Sequence, residues 1–155
     1  MSRIESRLRE MGYVLPDREW KGRILACRQE GNLLFCSGHG CRDLDGGLRY
    51  VGQVGKDLTV EQGKEAARNC ALNTLAAAKA FLGDLDRIEA VVKVLGFVSS
   101  ADGFGQQPEV MHGYTDLWAE LLGEENGRHA RSAIGTNSLP GNQAVEVECV
   151  LRVRV

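Results

Sequence analysis

The sequence contains no run of lysine and arginine, and this absence limits the partners that the protein can bind. Its 19 basic residues are balanced by 21 acidic residues, which gives a formal net charge of −2. At the C-terminal end, Arg152 and Arg154 merely alternate with valines. Because phosphate groups are bound by a clustered basic surface, nucleic acid is an unlikely partner and a dedicated nucleic-acid-binding protein is not expected.

The sequence also contains no apolar run that approaches the length of a membrane span. A signal peptide requires an apolar stretch near the N-terminus, and here that region carries Glu5, Arg7 and Glu10. We therefore expect a cytoplasmic protein with no membrane partner.

The five cysteines are an odd number and form no CxxC motif. Four of them lie in apolar periodic segments, where a reduced cysteine behaves as a small hydrophobic residue: Cys27, Cys36, Cys70 and Cys149. This usage favours a reducing compartment over a disulfide framework. His39 and Cys41 supply only two of the four ligands of a structural zinc site, so we predict no metal site.

The chain has the size and composition of a single domain spanning 1–155, with 1–22 as an N-terminal extension. Apolar residues at helical spacing predict a short helix near the N-terminus and two long helices, which follow Thr59 and Pro108. Thr59 and Gln62 form a capping box at the start of the first long helix.

Short apolar or alternating segments predict four further elements as strands, and these lie at 23–28, 33–37, 88–99 and 144–155. The first two are predicted to form a hairpin joined by residues 29–32. The order of elements indicates an α+β domain in which two long helices pack on one face of a mixed sheet. The other face then requires a cover, and self-association is the simplest one.

The C-terminal stretch is predicted to fold as a strand, a turn at Pro140-Gly141-Asn142 and a second strand. Glu146 and Glu148 alternate with apolar residues, so both carboxylates lie on the same face of the second strand. Arg131 lies at the head of the first strand, opposite them across this hairpin. The residues alone allow a surface ion pair or a carboxylate-binding pocket with its own acid or base.

Three segments resemble motifs of the RidA/YjgF family, the reactive-intermediate (imine/enamine) deaminases that are also called L-PSP proteins or endoribonucleases. The resemblance is to its longer bacterial subgroup, which carries YjgF/chorismate-mutase-like names. The similar segments are Gly31–Gly38, Ala71–Ala77 and a C-terminal block made of Ala130-Arg131-Ser132, Leu139-Pro140 and Val145–Glu148. They occur in the right order, and the likeness extends from residue 23 to residue 155.

The resemblance implies a chorismate-mutase-like α+β fold, a homotrimer with three clefts between subunits, and no cofactor. An ungapped alignment of the C-terminal block places the family's substrate-carboxylate arginine on Arg131 and its water-positioning glutamate on Glu146. Ser37 and Gly38, from the similar strand end, become candidate substrate-binding residues. His39 beside them either lines the cleft or is a solvated loop residue, and Gln107 lies near the position of the family's asparagine.

These residue types suit the hydrolysis of an imine. A guanidinium group binds a carboxylate through two parallel hydrogen bonds. A nearby carboxylate can orient or deprotonate the water that attacks the C=N carbon. A 2-imino acid would then give a 2-oxo acid and ammonia, and positioning of the reactants would supply most of the acceleration.

The chain departs from the family pattern at the wall of the predicted cleft. An ungapped alignment places the family's usual tyrosine on Ile24, with Tyr13 as the only upstream alternative, and Ala133 stands where the family often has cysteine. Three functions therefore remain open: an imine deaminase, a non-catalytic trimer that binds a small carboxylate, and an endoribonuclease. RNA cleavage ranks last because the acidic balance offers phosphate little to bind.

Overall fold

The computed structural model describes residues 1–155 and contains both long helices that the sequence predicts. The helices are α1 (Arg3–Glu10), α2 (Val60–Leu82), α3 (Gln107–Leu122) and α4 (Glu124–Gly127). The predicted capping box is confirmed, since the Thr59 side chain accepts from the Gln62 amide and the Gln62 side chain accepts from the Thr59 amide. The four-residue helix α4 was not predicted, because one turn shows no periodicity.

Five strands form one mixed sheet in the order β1-β2-β5-β3-β4. They are β1 (Cys27–Glu30), β2 (Leu33–Gly40), β3 (Ile88–Ser99), β4 (Ala130–Thr136) and β5 (Val145–Val153). Strands β3 and β4 are parallel, and all other neighbours are antiparallel. The predicted α+β class with a mixed sheet is therefore confirmed. None of the helices has both the length and the apolar character that crossing a membrane requires.

The predicted C-terminal hairpin is wrong, because β3 lies between β4 and β5. The turn chemistry at Pro140–Asn142 is real, but it belongs to a longer connection that passes β3. With twelve residues, β3 is the longest strand of the sheet. It pairs with β5 from Ile88 to Val98 on one side and with β4 from Lys93 to Ser99 on the other. In the first hairpin the loop contains only Gly31 and Asn32, and the positive φ of Gly31 (+58°) allows this tight turn.

The two faces of the sheet differ in their cover. Alternate residues of β5 are buried on the side of α2 and α3, whereas Glu146 and Glu148 lie on the opposite side. We call this opposite side the open face. It carries half-buried or exposed apolar side chains: Phe35, Leu95, Phe97, Ile134 and Val150. Within a single chain, no helix covers them.

The N-terminal helix is attached by carboxylates. Ile4 and Leu8 are buried beneath it. The carboxylate of Asp86 accepts from the amides of Arg3 (2.7 Å) and Ile4 (3.0 Å). Burial raises the pKa of Asp86, but these backbone donors outweigh burial and leave the pKa below its ordinary value. A hydrogen bond from Lys79, 2.6 Å away, followed by one from the Ser2 amide, lowers the pKa of Glu5 to about 2.

Acid is therefore expected to weaken the docking of α1. Glu5 has a lower pKa in the folded protein than its ordinary value of 4.5, so its stabilisation is complete above pH 4.5 and disappears as the pH falls towards 2. Thermal unfolding should show that Glu5→Gln loses stability at pH 6 and changes less than the parent between pH 6 and pH 3. Glu10→Gln on the same helix is the control and should follow the parent. An equal acid response in parent and Glu5→Gln would contradict this role.

Candidate functional site

Glu146 lies on the open face beside a glycine that leaves room for its carboxylate. It pairs with Gly40 of β2 on one side and Phe97 of β3 on the other. A Cβ atom at Gly38 would come within 3.0 Å of both Cδ and Oε2 of Glu146. Strand β2 changes register between Cys36 and His39, and Gly38 lies inside this irregularity. A side chain at position 38 would therefore displace the glutamate.

A groove of about 380 Å³ crosses the open face next to Glu146. Ser37 lines it, and the Ser37 hydroxyl donates to the carbonyl of Leu25 (2.7 Å). The groove contains both acidic and basic side chains: Arg28, Lys93 and Glu148. Glu148 lines the groove directly, whereas Glu146 lies two residues further along the same strand face.

Arg131 lies on the other side of the sheet, where edge strand β4 meets α3. Its Nη1 donates to Oγ1 of Thr115 (3.0 Å) and to Nδ1 of His112 (3.2 Å), and its Nη2 lies 3.4 Å from the carbonyl of Pro108. Burial lowers the pKa of Arg131 from its ordinary value of 12.5. Its guanidinium lines a polar groove of about 540 Å³ between α3 and the segment around α4.

Thr115 connects Arg131 to a neutral histidine. Nε2 of His129 lies 2.9 Å from Oγ1 of Thr115. Burial, followed by the charges of Arg131 and Lys93, lowers the pKa of His129 to about 4, so the ring is neutral at pH 7. The Thr115 oxygen accepts from Arg131, and its hydroxyl lies within hydrogen-bond distance of both Nε2 of the neutral His129 and the carbonyl of Met111 (3.3 Å). This chain of contacts fixes the position of the Arg131 guanidinium.

The remaining candidates lie apart from Glu146. Gln107 is the first residue of α3, and its Nε2 donates to the carbonyl of Phe104 (2.8 Å) and lies close to Gly135 of β4. His39 is buried, with its ring edge-on to Trp20 at 5.5 Å between centroids. The structure thus groups Gln107 with the Arg131 side of the sheet, whereas His39 lies against the N-terminal segment.

Arg131 and Glu146 do not meet within one chain. Arg131 pairs with Val94 and Glu146 pairs with Phe97, so β3 separates them and they point to opposite faces. Strand geometry places their backbones roughly 10 Å apart along the strands and roughly 10 Å apart across the sheet. An intrachain ion pair between Arg131 and either glutamate, as the predicted hairpin would allow, is therefore wrong.

Sequence reasoning missed the partners of Arg131. Thr115, His112 and His129 belong to none of the motifs that the sequence analysis identifies. His112 and Thr115 are spaced three apart and therefore share one face of a helix, which is a usable signal. This spacing identifies partners for Arg131 only when β4 is known to lie against α3. Local sequence patterns do not show that these two elements pack together.

The fold and these residues define a class of protein: a chorismate-mutase-like α+β domain with an arginine on its edge strand and a glutamate on a central strand. The chain belongs to the YjgF/RidA family, since residues 5–151 match the family model described as "YjgF/chorismate mutase-like, putative endoribonuclease".

Relatives of similar length support this assignment. The chain is 39% identical to protein TCP17 of Trypanosoma cruzi, over 97% of this chain and 94% of that protein. A crystal structure of a protein of unknown function from Agrobacterium tumefaciens is 41% identical, with a TM-score of 0.90 over 98% of this chain and 94% of that one. A protein from Shewanella oneidensis, described as a putative endoribonuclease, is 31% identical, with a TM-score of 0.89 over 97% and 99% of the two chains.

Proposed function

We propose that the protein hydrolyses reactive 2-imino acids to 2-oxo acids and ammonia, without a cofactor, in clefts between the subunits of a homotrimer. The observation that carries this proposal is the pair formed by a prepositioned arginine and a glutamate beside a glycine. Both residues stand at the positions that the family resemblance gives to the carboxylate-binding and water-positioning groups. We call the groove that Arg28, Lys93 and Glu148 line the open-face groove, and the groove that Arg131 lines the arginine groove. In this proposal the two grooves of neighbouring subunits together form one site.

The separation of Arg131 and Glu146 supports a site that two subunits share. A small imino acid carries its carboxylate next to the C=N carbon, so both residues must lie within a few ångströms of one another to act on it. Strand β4 is an edge of the sheet and carries Arg131. The open face, which carries Glu146, exposes apolar side chains such as Phe35 and Ile134, each 46% accessible. Association through these surfaces would bury apolar area and bring Arg131 of one subunit to Glu146 of the next.

The proposed reaction uses only protein side chains and water. Arg131 binds the α-carboxylate, which fixes the C=N carbon. Glu146 accepts a proton from water as the oxygen adds to that carbon, and it passes this proton to the imine nitrogen, which becomes an amine. The hydroxyl of the tetrahedral intermediate then gives its proton, through Glu146, to the same nitrogen, the C=O bond forms, the C–N bond breaks, and ammonia leaves. The net change is the imine plus water giving the 2-oxo acid plus ammonia.

A binding protein without turnover is the second candidate. Ile24, in the family's tyrosine position, is 64% exposed and carries no hydroxyl group. Ala133 likewise offers no group for proton transfer. These two residues favour a trimer that binds a small carboxylate in the same cleft without acting on it. RNA cleavage has less support, since both grooves mix acidic and basic residues.

The deciding experiment generates 2-imino acids in situ with an amino-acid oxidase and follows their decay and the release of ammonia. Faster decay with the protein than with the same protein heat-denatured supports the deaminase. No acceleration for any of several aliphatic, acidic and aromatic imino acids would overturn it. Calorimetric binding of the corresponding 2-oxo acids in that case would favour the carboxylate-binding trimer.

The contact between Thr115 and Arg131 gives a further prediction. Thr115→Val keeps the side-chain shape but removes the hydroxyl that fixes Arg131. We expect KM for a 2-imino acid to rise roughly fivefold to tenfold, because one hydrogen bond to a charged group is lost, while kcat changes less. Thr115→Ser retains the hydroxyl and should restore the parent KM. A change confined to thermal stability would show that Thr115 has only a structural role.

A further inference from the structure

Three cysteines lie in one row across neighbouring strands. Cys27 of β1 pairs with Cys36 of β2, and Cys36 pairs with Cys149 of β5. All three are buried and carry free thiols. The sulfur atoms of Cys27 and Cys36 are 3.7 Å apart. The proposed deaminase reaction uses none of these thiols.

The strand register favours a link between Cys27 and Cys36. The Ser37 amide donates to the Ala26 carbonyl (2.9 Å), so the Cys27–Cys36 pair is of the non-hydrogen-bonded type, in which opposite side chains approach most closely. Its Cα separation of about 4.5 Å falls within the range that a disulfide spans.

Cys36 and Cys149 form the other type of pair. Hydrogen-bonded and non-hydrogen-bonded pairs alternate along an antiparallel ladder. The Val153 amide donates to the Asn32 carbonyl (2.8 Å), so Cys36–Cys149, an even number of pairs further along, is also a hydrogen-bonded pair, and its side chains lie further apart. Of the two pairs, only Cys27–Cys36 brings its sulfur atoms into contact, so its thiols are the ones placed to form a disulfide.

The surroundings of Cys27 favour its reactive form. The thiol of Cys36, followed by His39, stabilises the thiolate against the effect of burial and lowers the pKa of Cys27 to about 6. The neighbouring thiols of Cys149 and Cys27, followed by burial, raise the pKa of Cys36 well above its ordinary value. Since the thiolate is the nucleophile, Cys27 is the attacking group and Cys36 is the thiol that resolves the product.

A small molecule has a route to Cys27. Cys27 lines a groove of about 490 Å³ between the N-terminal segment and α2, together with Trp20 and Phe81. Both aromatic side chains are 47% exposed. Ala77, Ala80 and Phe81 of α2 place this groove on the helix side of the sheet.

We propose that Cys27 and Cys36 are a modification site, a dithiol pair that a small hydroperoxide converts to a cross-strand disulfide. The Cys27 thiolate attacks the peroxide, an S–O bond forms, the O–O bond breaks, and the leaving oxygen takes up a proton as water or alcohol. Cys36 then attacks the Cys27 sulfur, the S–S bond forms, the S–O bond breaks, and hydroxide leaves as water with the Cys36 proton. One peroxide is reduced by two electrons, and the two thiols are oxidised.

The test treats the native full-length protein with hydrogen peroxide and maps the linked peptides by mass spectrometry. We expect a Cys27–Cys36 link that dithiothreitol reverses. Five free thiols after peroxide treatment, or a first link between Cys36 and Cys149, would overturn the proposal. This mapping needs no variant, so it does not depend on whether a substitution folds.

Variants separate the roles within the row. Cys36→Ser should leave a Cys27 sulfenic acid that dimedone traps. Cys27→Ser should consume peroxide at least about tenfold more slowly than the parent, because it removes the thiolate that attacks the peroxide. Cys149→Ser is the matched control from the same row and should still form the link. Dimedone labelling of Cys41 or Cys70 in place of Cys27 in folded Cys36→Ser would contradict the assignment.

Discussion

Glu146→Gln is expected to lower kcat for hydrolysis of a 2-imino acid by about 100-fold or more, because it removes the group that activates water. Glutamine has nearly the same shape as glutamate, so it fits beside Gly38 as the parent side chain does. KM should change little, since the carboxylate of the substrate is bound elsewhere. Ammonia release at several substrate concentrations measures both constants.

Glu148→Gln is the matched control for Glu146. Both glutamates lie on one face of β5, two residues apart, and Glu148 lines the open-face groove with Arg28 and Lys93. Loss of this partly exposed charge should change kcat/KM by no more than about fivefold. If Glu148→Gln is the inactive variant and Glu146→Gln retains activity, the catalytic role belongs to Glu148 and the proposal for Glu146 is wrong.

Arg131→Ala is expected to weaken substrate binding on the order of 100-fold, because a charge-assisted bidentate contact contributes about 3 kcal/mol. The loss should appear in KM, and also in the Kd of the 2-oxo acid product measured by calorimetry. Arg131→Lys keeps the charge but loses the planar pair of donors, so it should fall between alanine and the parent.

Arg128→Ala controls for charge in the arginine groove. Arg128 lines the same groove, but its side chain is 73% exposed and lies 3.8 Å from Glu124. We expect parent-like binding from this variant. Equal weakening by Arg128→Ala and Arg131→Ala would show a general effect of positive charge and would contradict a specific contact. Thermal unfolding of each variant checks that lost contacts to Thr115 and Pro108 do not unfold the chain.

Mixing the two inactive variants tests whether subunits share the site. An Arg131→Ala subunit keeps its native Glu146, and a Glu146→Gln subunit keeps its native Arg131. In a trimer that combines both, a cleft that takes Glu146 from the former and Arg131 from the latter contains both native residues. Every mixed trimer contains one such cleft among its three, so isolated mixed trimers should have about one third of the parent activity. Co-expression with two different affinity tags isolates the mixed species. No recovery in mixed trimers would contradict the shared cleft.

The helices and the strand faces could be predicted from the sequence. The capping box of Thr59 and Gln62 determines where α2 begins, and it depends only on residues within one turn. The alternation in β5 likewise depends on adjacent residues, and it correctly placed Glu146 and Glu148 on one face. Motif resemblance added the family, and the match over residues 5–151 confirms it.

The neighbours of each strand could not be predicted in this way. The turn at Pro140–Asn142 suggested that β4 and β5 pair, yet β3 pairs with both. Which strand lies between β4 and β5 depends on competition among all strands for long-range partners, and β3 is the longest and has an apolar side for the helices. That single outcome moved Arg131 to the opposite face of the sheet from Glu146.

The sequence by itself determined which residues are candidates for the proposed chemistry, since side-chain type and local spacing are properties of the chain. Only the tertiary structure decided what surrounds them. Thr115 and His129 hold Arg131 because α3 packs against β4, and Gly38 accommodates Glu146 because β2 pairs with β5. These contacts join segments far apart in the chain, so they arise from packing and strand pairing, which local sequence patterns do not encode.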